Sequence, residues 1–284
     1  MTRADWLERH AFLQPLARLS ARIEEAVDRL APPPAAPPAF DDYRDEYLAG
    51  VPLLSSVRAP VDLEPAARTV VALVLRLAAE PLPEEIASKM RALAAELRDE
   101  REPAAAVAHW LRGESEFTTA SPGLLRWLGW TVLVRSLRPV VAAFARWRDE
   151  ERWLRSSCPT CGALPSMALL VEEEHGRTRF LSCGCCATRW RYRRGACPFC
   201  EKESHKLEVV SIEGEGGLRI DWCEGCRGYL KTSSGRGDQE LLLADWTSLH
   251  LDVVAHDRGL ERKAASLYEI DAGARADDAG ARAD

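Results

Sequence analysis

Cysteine is missing from the first 157 residues and again after position 226. All nine cysteines crowd into the 69 residues between 158 and 226. The N-terminal stretch MTRADWLERHAF has none of the apolar core of a secretory signal. The most apolar windows, 70–75 and 124–134, are too short to span a bilayer. Together these absences predict a cytoplasmic chain with reduced thiols rather than a disulfide framework. There is no nucleophile elbow, no phosphate-cradling glycine loop and no H-E-x-x-H pair. An enzyme is therefore not expected. The net charge of −6 gives no reason to expect nucleic acid or an anionic membrane as partner. Strand-like alternation is also absent before residue 160.

What is present is a four-fold motif. The chain reads CPTC at 158–161, CGCC at 183–186, CPFC at 197–200 and CEGC at 223–226. A C-x-x-C pair in a tight turn lets two sulfurs converge on one ion, and two such pairs complete a tetrahedral four-sulfur site for zinc or a single iron. The spacings repeat. Between the pairs lie 21 residues in one case and 22 in the other, so the segment reads as a duplicated unit of about 40 residues. Sequential pairing is simplest. Cys158, Cys161, Cys183 and Cys186 would hold one ion; Cys197, Cys200, Cys223 and Cys226 would hold the other. A cross-brace that joins the first pair to the third is the rival. Duplication favours sequential sites, because a unit must be complete before it is copied. Within each unit an apolar run, a glycine turn and a second apolar run predict a small ribbon. Such a unit buries too little surface to fold alone, so the ion supplies much of its folding free energy. Cys185 is the spare thiol, either a small turn residue or an alternate ligand.

The rest predicts an α+β chain. Residues 1–150 read as an all-helical domain. Helix 6–30 carries Leu16, Leu19, Ile23, Val27 and Leu30 at three- and four-residue steps, with a break near Pro15. The prolines from 32 to 38 form a stiff connector. In 40–54, Phe40, Tyr43 and Tyr47 fall at helical spacing before Gly50. Residues 64–80 are apolar almost all round, as a buried central helix would be. Pro83 as first residue, with Glu84 and Glu85 on the dipole, opens the next helix. A shorter helix covers 104–111. Ser121-Pro122 caps a long one to Trp147, kinked at Pro139. The first four-cysteine module is expected over 151–194 and the second over 195–233. A C-terminal helix within 234–270 packs back, and the repeated tail 271–284 is expected to be disordered.

Several of these features agree in order with one family. They are Cys-Pro-x-Cys-Gly at 158–162, the four pairs at these spacings, Arg189-Trp190 and Cys-x-x-Cys-x-x-Tyr-Leu-Lys at 223–231. Leu-His-Leu-Asp at 249–252 and Gly-Val-Pro-Leu-Leu at 50–54 join them. The chain resembles the formate dehydrogenase accessory protein FdhE family over roughly 40–270. That resemblance implies a helical domain followed by two tandem rubredoxin-like or zinc-ribbon metal modules. It also implies a cytoplasmic assembly factor that binds the catalytic subunit of a molybdenum-containing respiratory formate dehydrogenase. The eight cysteines of the four pairs map onto the family's metal ligands, with iron favoured over zinc. Two features depart from the family pattern: the extra Cys185, and the ending from Tyr268-Glu269-Ile270 into the repeated tail.

The alternative is a zinc-ribbon protein that binds nucleic acid. Its best support is the run 189–194, where arginines alternate with Trp190 and Tyr192. Charge opposes it. Residues 151–230 carry 12 Lys/Arg against 11 Asp/Glu, and four thiolates around a dication add further negative charge at each site. The simpler reading is a strand with a cationic outer face and packed aromatics. Val209, Ile212, Trp222, Tyr229 and Leu230 are candidate partner contacts, each equally readable as core. His175 and His205 lie near the sites without being needed as ligands. His250 reads as a helix-surface or packed residue.

Overall fold

A computed structural model describes residues 2–114, 117–174, 176–202, 206–215, 217–234 and 243–266. His175, His205, the 235–238 loop, the 268–270 segment and the 271–284 tail lie outside the described residues.

Among the described residues eight helices come first. Helix α1 (Arg3–Arg9) is opened by a capping box in which Thr2 and Asp5 satisfy each other's backbone N–H. After a 3-10 turn at Ala11–Leu13 comes α2 (Gln14–Leu30), with Pro15 in its first turn. The expected single helix is thus two, because a proline is tolerated only where its missing N–H has no intrahelical acceptor. Helix α2 ends at Ala31, in the left-handed region at φ 47°, immediately before the proline run. Helix α3 (Arg44–Ala49) stops at Gly50, φ 84°. Helix α4 (Glu64–Leu77) is the centre of the helical part, with Val70, Leu73, Val74 and Leu77 fully buried. Full burial of such a side chain stabilises by about 1.5–3 kcal/mol.

Helix α5 (Glu84–Asp99) has extended Pro83 at its N-cap, one position earlier than expected. Helix α6 (Pro103–Arg112) follows. Helices α7 (Pro122–Ser136) and α8 (Arg138–Trp147) meet at Leu137 with a 60° bend. Ser121 takes the N-cap position of α7 without a side-chain hydrogen bond. The bend precedes Pro139, which sits in the first turn of α8 rather than inside one long helix. Among the described residues no single helix is long and apolar enough to cross a membrane; only the bent pair α7 and α8 passes that test together.

Seven strands follow among the described residues. They are β1 (Met167–Glu173), β2 (Gly176–Ser182), β3 (Arg189–Tyr192), β4 (Leu207–Ser211), β5 (Leu218–Cys223), β6 (Gly228–Ser233) and the two-residue β7 (Glu261–Arg262). Their order is β3-β2-β1-β6-β5-β4, with β7 beside β6. Within each unit the neighbours are antiparallel. Between units β1 and β6 run parallel, with Met167 opposite Lys231 and Leu169 opposite Ser233. The two copies therefore stand side by side in the same orientation and share one sheet. Helix α9 (Leu249–Asp257) follows a 3-10 turn at Asp245–Ser248.

Two cores result. The larger joins α2 to α8 with Cys158, Cys183, Cys186, Trp190 and Tyr192, so the first unit is continuous with the helical part. The smaller brings Trp6, Leu13 and Ala17 from the N-terminus against Val210, Leu218, Ile220, Tyr229, Trp246 and Leu251. The indole of Trp6 donates to the Thr247 carbonyl at 3.1 Å.

Candidate metal centres

All four C-x-x-C pairs adopt one backbone geometry. In each, the amide four residues after the first cysteine donates to that cysteine's carbonyl. The four bonds are Gly162 to Cys158, Ala187 to Cys183, Glu201 to Cys197 and Arg227 to Cys223, at 2.9–3.1 Å. The same four donors all have positive φ, from 55° to 79°. Only one is glycine. Ala187, Glu201 and Arg227 accept a left-handed conformation that L-residues disfavour by about 1–2 kcal/mol. That turn reverses the chain so tightly that the backbone amides face the sulfurs. The amide of Cys185 lies 3.3 Å from Cys183 Sγ, and that of Phe199 lies 3.4 Å from Cys197 Sγ.

The sulfurs converge in two quartets, and the quartets are sequential. Cys158, Cys161, Cys183 and Cys186 form one; Cys197, Cys200, Cys223 and Cys226 form the other, and the sulfurs of each lie within 4.8 Å of one another. In the first, Sγ–Sγ separations are 3.6 Å (Cys158–Cys186), 3.4 Å (Cys161–Cys183) and 3.7 Å (Cys161–Cys186). In the second they are 3.7 Å (Cys197–Cys226) and 3.8 Å (Cys200–Cys223). A disulfide needs about 2.05 Å. The edge of a tetrahedron with metal–sulfur bonds of about 2.3 Å is about 3.8 Å. The cages therefore have the size and the soft donor set of a four-thiolate zinc or iron site. Cys185 belongs to neither quartet; it is buried beside the first and contributes its amide.

Crowding splits the thiols electrostatically. Burial raises Cys186, but hydrogen bonds from Cys158, Cys161, Cys183 and Thr188 outweigh it and bring its thiol well below the ordinary value. Burial likewise raises Cys223, yet the amides of Cys226 and Gly225 and the thiols of Cys197 and Cys200 bring it down to about 7. Hydrogen bonding with Cys158 and other neighbours pushes Cys161 up, and burial pushes Cys197 up. Cys186 in the first quartet and Cys223 in the second thereby ionise more readily than Cys161 and Cys197. A cation that binds all four sulfurs displaces the remaining protons.

The first quartet is clasped by the helical part. The Gly-Val-Pro-Leu-Leu segment at 50–54 lies along its first turn, where the amides of Leu53 and Leu54 donate to the carbonyls of Pro159 and Thr160 at 2.9 and 2.8 Å. The Thr160 and Thr188 hydroxyls, one beside each pair of this quartet, meet at 2.8 Å. Around the clasp, Tyr43, Tyr47, Phe144, Trp147 and Trp153 form a continuous aromatic stack. Packing is therefore the role of the 40–54 segment, and it packs against the site itself.

In the 189–194 run, Trp190 and Tyr192 are fully buried and cannot stack on bases. Arg191 pairs with Glu151, and Arg148 donates to the Arg189 carbonyl at 2.5 Å. Tyr229 and Leu230 are core residues, whereas Val209 is half exposed.

Two separated motifs meet. Tyr229 Oη donates to Asp252 Oδ1 at 2.7 Å, and Lys231 Nζ lies 2.6 Å from Asp245 and 2.7 Å from Asp252. Arg262 closes the network at 2.8 and 3.0 Å. Burial opposes ionisation of Asp245, but Lys231 and Arg262 hold its carboxyl well below the usual range. Tyr-Leu-Lys and Leu-His-Leu-Asp are thus the two halves of one buried ion network that pins α9 to β6. No periodicity in the sequence shows this, because the partners are 21 residues apart and the pairing is tertiary.

Residues 157–194 match the family model described as FdhE, central domain. The chain is 32% identical over 133 residues to an FdhE homolog from Aquifex aeolicus, which covers 45% of this chain and 47% of that protein. It is 36% identical over 123 residues to one from Pseudomonas aeruginosa, covering 40% and 39%. The matched stretch spans less than half the length of these relatives. The crystal structure of the FdhE protein from Pseudomonas aeruginosa superposes with a TM-score of 0.59 at 24% identity, covering 91% of this chain and 89% of that one. The helical N-terminal region followed by a sheet is shared with that fold. In its central segment, its curated relatives and its fold, the chain is similar to the FdhE proteins.

Proposed function

We propose that this protein is a cytoplasmic assembly factor that binds the catalytic subunit of a molybdenum-containing formate dehydrogenase, and that it is not itself an enzyme. The observation that carries the reading is the pair of complete thiol quartets built into one sheet and locked to the helical part. Cys158, Cys161, Cys183 and Cys186 would hold one ion, and Cys197, Cys200, Cys223 and Cys226 a second. Iron is the preferred occupant, with zinc next, since both suit four thiolates. The bound ion would supply folding free energy to units too small to hold together on apolar burial alone. Four protein ligands leave no position open for a substrate.

What this chain's residues do is build a rigid platform. The four left-handed turns aim the sulfurs, Leu53 and Leu54 fix the first turn to the helices, and Lys231 with Asp252 fixes α9 to the second unit. The partner surface would lie where the platform meets solvent, with half-exposed Val209 on β4 as one contact.

The test is a pull-down from the native host with identification by mass spectrometry, paired with elemental analysis. Recovery of a formate dehydrogenase catalytic subunit and two metal equivalents at the cysteines are expected. Recovery of ribosomal or transcription proteins instead would support the nucleic-acid reading and overturn this one.

A further inference from the structure

A third cluster of metal-ligating side chains lies away from both thiol quartets. It joins His10, at the end of α1, Glu215, in the turn between β4 and β5, and His250, in the first turn of α9. Their ligating atoms all lie within 4.8 Å of one another. His10 Nε2 is 2.8 Å from Glu215 Oε1, and His250 Nε2 is 2.8 Å from the same oxygen. The two imidazoles stack at 5.1 Å between centroids. Three segments separated by more than 30 residues in sequence thus aim two ring nitrogens and a carboxylate at one point.

Three observations distinguish this from an ordinary ion pair. First, the buried polar atoms are poorly satisfied. Glu215 Oε2 and both ring nitrogens of His250 are buried without a hydrogen-bond partner among the described residues. A buried polar group without a partner is costly, so their clustering in one place points to a ligand.

Second, the tautomer of His10 is set from behind. Its Nδ1 lies 3.0 Å from the Trp6 carbonyl, which can only accept, so Nδ1 carries the proton. With Nδ1 held in this way, Nε2 is the ring nitrogen that faces Glu215, and it becomes a ligand when a cation displaces its proton. A backbone carbonyl that orients a histidine in this way is the usual support behind a metal-bound imidazole. Third, one aromatic ring packs over both imidazoles. Phe12, 62% exposed, places its ring edgewise against both imidazoles at 5.7 and 5.9 Å.

We propose that His10, Glu215 and His250 form a third metal site that binds one divalent zinc-class cation through two imidazoles and a carboxylate. Imidazole donors select zinc, cobalt, nickel or iron(II) over magnesium or calcium. With bonds of about 2.0–2.1 Å the ligand atoms would sit about 3.3 Å apart, so each 2.8 Å nitrogen–oxygen separation would widen by about half an ångström on binding. Three protein ligands leave a coordination position for water or a partner's side chain, unlike the saturated quartets. The site also ties α1 to the second unit and to α9, so occupancy stabilises the contact of the N-terminus with the sheet.

The experiment uses the full chain with both quartets filled with zinc. Cobalt(II) is titrated in, with uptake followed by calorimetry and total metal by elemental analysis. The unmutated protein is expected to take up one further equivalent. Glu215→Gln, which preserves shape, and His250→Ala should each weaken that uptake at least 10-fold and leave the two quartet equivalents in place. Retention of those two equivalents and an unchanged far-UV spectrum show that the variants fold. Were a variant to misfold, the unmutated chain still decides, because its further equivalent should be lost as pH falls through the imidazole range while the quartet zinc stays bound. No further uptake by the unmutated chain, or uptake indifferent to Glu215→Gln, overturns the site. Neither outcome bears on the quartets, which are counted separately.

Discussion

The two four-cysteine units descend from one pattern but live in different surroundings. The first is an inward extension of the helical core. Its Cys158, Cys183 and Cys186 are buried among residues of α4, α7 and α8. The second leaves Cys200 and Cys226 partly exposed, against Cys161 alone in the first, and rests on a smaller core made by the N-terminus and α9. Identical turn geometry in both copies shows that the local backbone is dictated by the C-x-x-C turn and its ligand demand. How firmly each copy is held is a matter of what packs around it. The first copy is positioned by the clasp from 50–54, the second by the ion network of Lys231, Asp245, Asp252 and Arg262.

Substitutions can sharpen that contrast, and the largest effect is expected at the thiols. Cys186→Ala should remove one metal equivalent and unfold the helical part with it, because a structural four-thiolate ion contributes on the order of 10 kcal/mol. Cys226→Ala should also remove one equivalent yet leave the helical signal in far-UV circular dichroism intact, with proteolysis confined to the second unit. Equal loss of helix in both variants would erase the distinction between the copies.

Next comes the ion network. Lys231→Met leaves the carboxylates of Asp245 and Asp252 with only Arg262 for a cation, and should cost about 3–5 kcal/mol in denaturant unfolding. The pH dependence has a defined sign. Asp245 has a folded pKa depressed by Lys231 and Arg262, so its contribution is complete above the ordinary carboxylate value near 3.9. That contribution is lost as pH falls through the depressed folded value. Lys231→Met should therefore narrow the acid limb of the stability profile; an unchanged acid limb would show that Arg262 suffices alone.

Smaller effects are expected at the clasp. Leu53→Ala empties a fully buried position and should cost about 2–5 kcal/mol, read as a lowered melting temperature. At Gly50, φ is 84° and an added Cβ would fall 2.0 Å from the Arg155 guanidinium carbon. Gly50→Ala should cost about 1–3 kcal/mol and loosen the first quartet more than the second, seen as faster zinc release to a chelator from one site only. The smallest effect is expected at Arg191, whose exposed pair with Glu151 contributes little. Arg191→Ala should shift stability by about 0.5 kcal/mol or less and leave any affinity for single-stranded DNA unchanged.

Much of the candidate site was legible beforehand because the paired thiols lie close together in sequence. Each turn supplies two sulfurs three residues apart, and the duplication told which turns belong together. The helices were legible from period and proline, apart from the ends at Pro83 and the breaks at residues 10–13 and Leu137, where local backbone geometry prevailed over pattern. The glycine after Cys161 was the one visible sign of the left-handed turn; Ala187, Glu201 and Arg227 hid the other three, since the hydrogen-bonded loop compensates their strain. His250 read as a packed residue, and His10 and Glu215 carried no signal, because three ligands spread over 241 positions form no local motif.

Taken alone, the amino-acid order was enough to specify two four-thiol cages, their partition into quartets and a helical region ahead of them. Those properties depend on spacing along the backbone, which does not change on folding. Tertiary structure decided that the cages share one sheet through a parallel β1–β6 pairing. It also decided that 50–54 clasps the first cage, that Tyr-Leu-Lys meets Leu-His-Leu-Asp, and that His10 reaches Glu215 and His250. These contacts join residues from 21 to 240 positions apart. Their partners are selected by burial and charge in the assembled core, which no local pattern encodes.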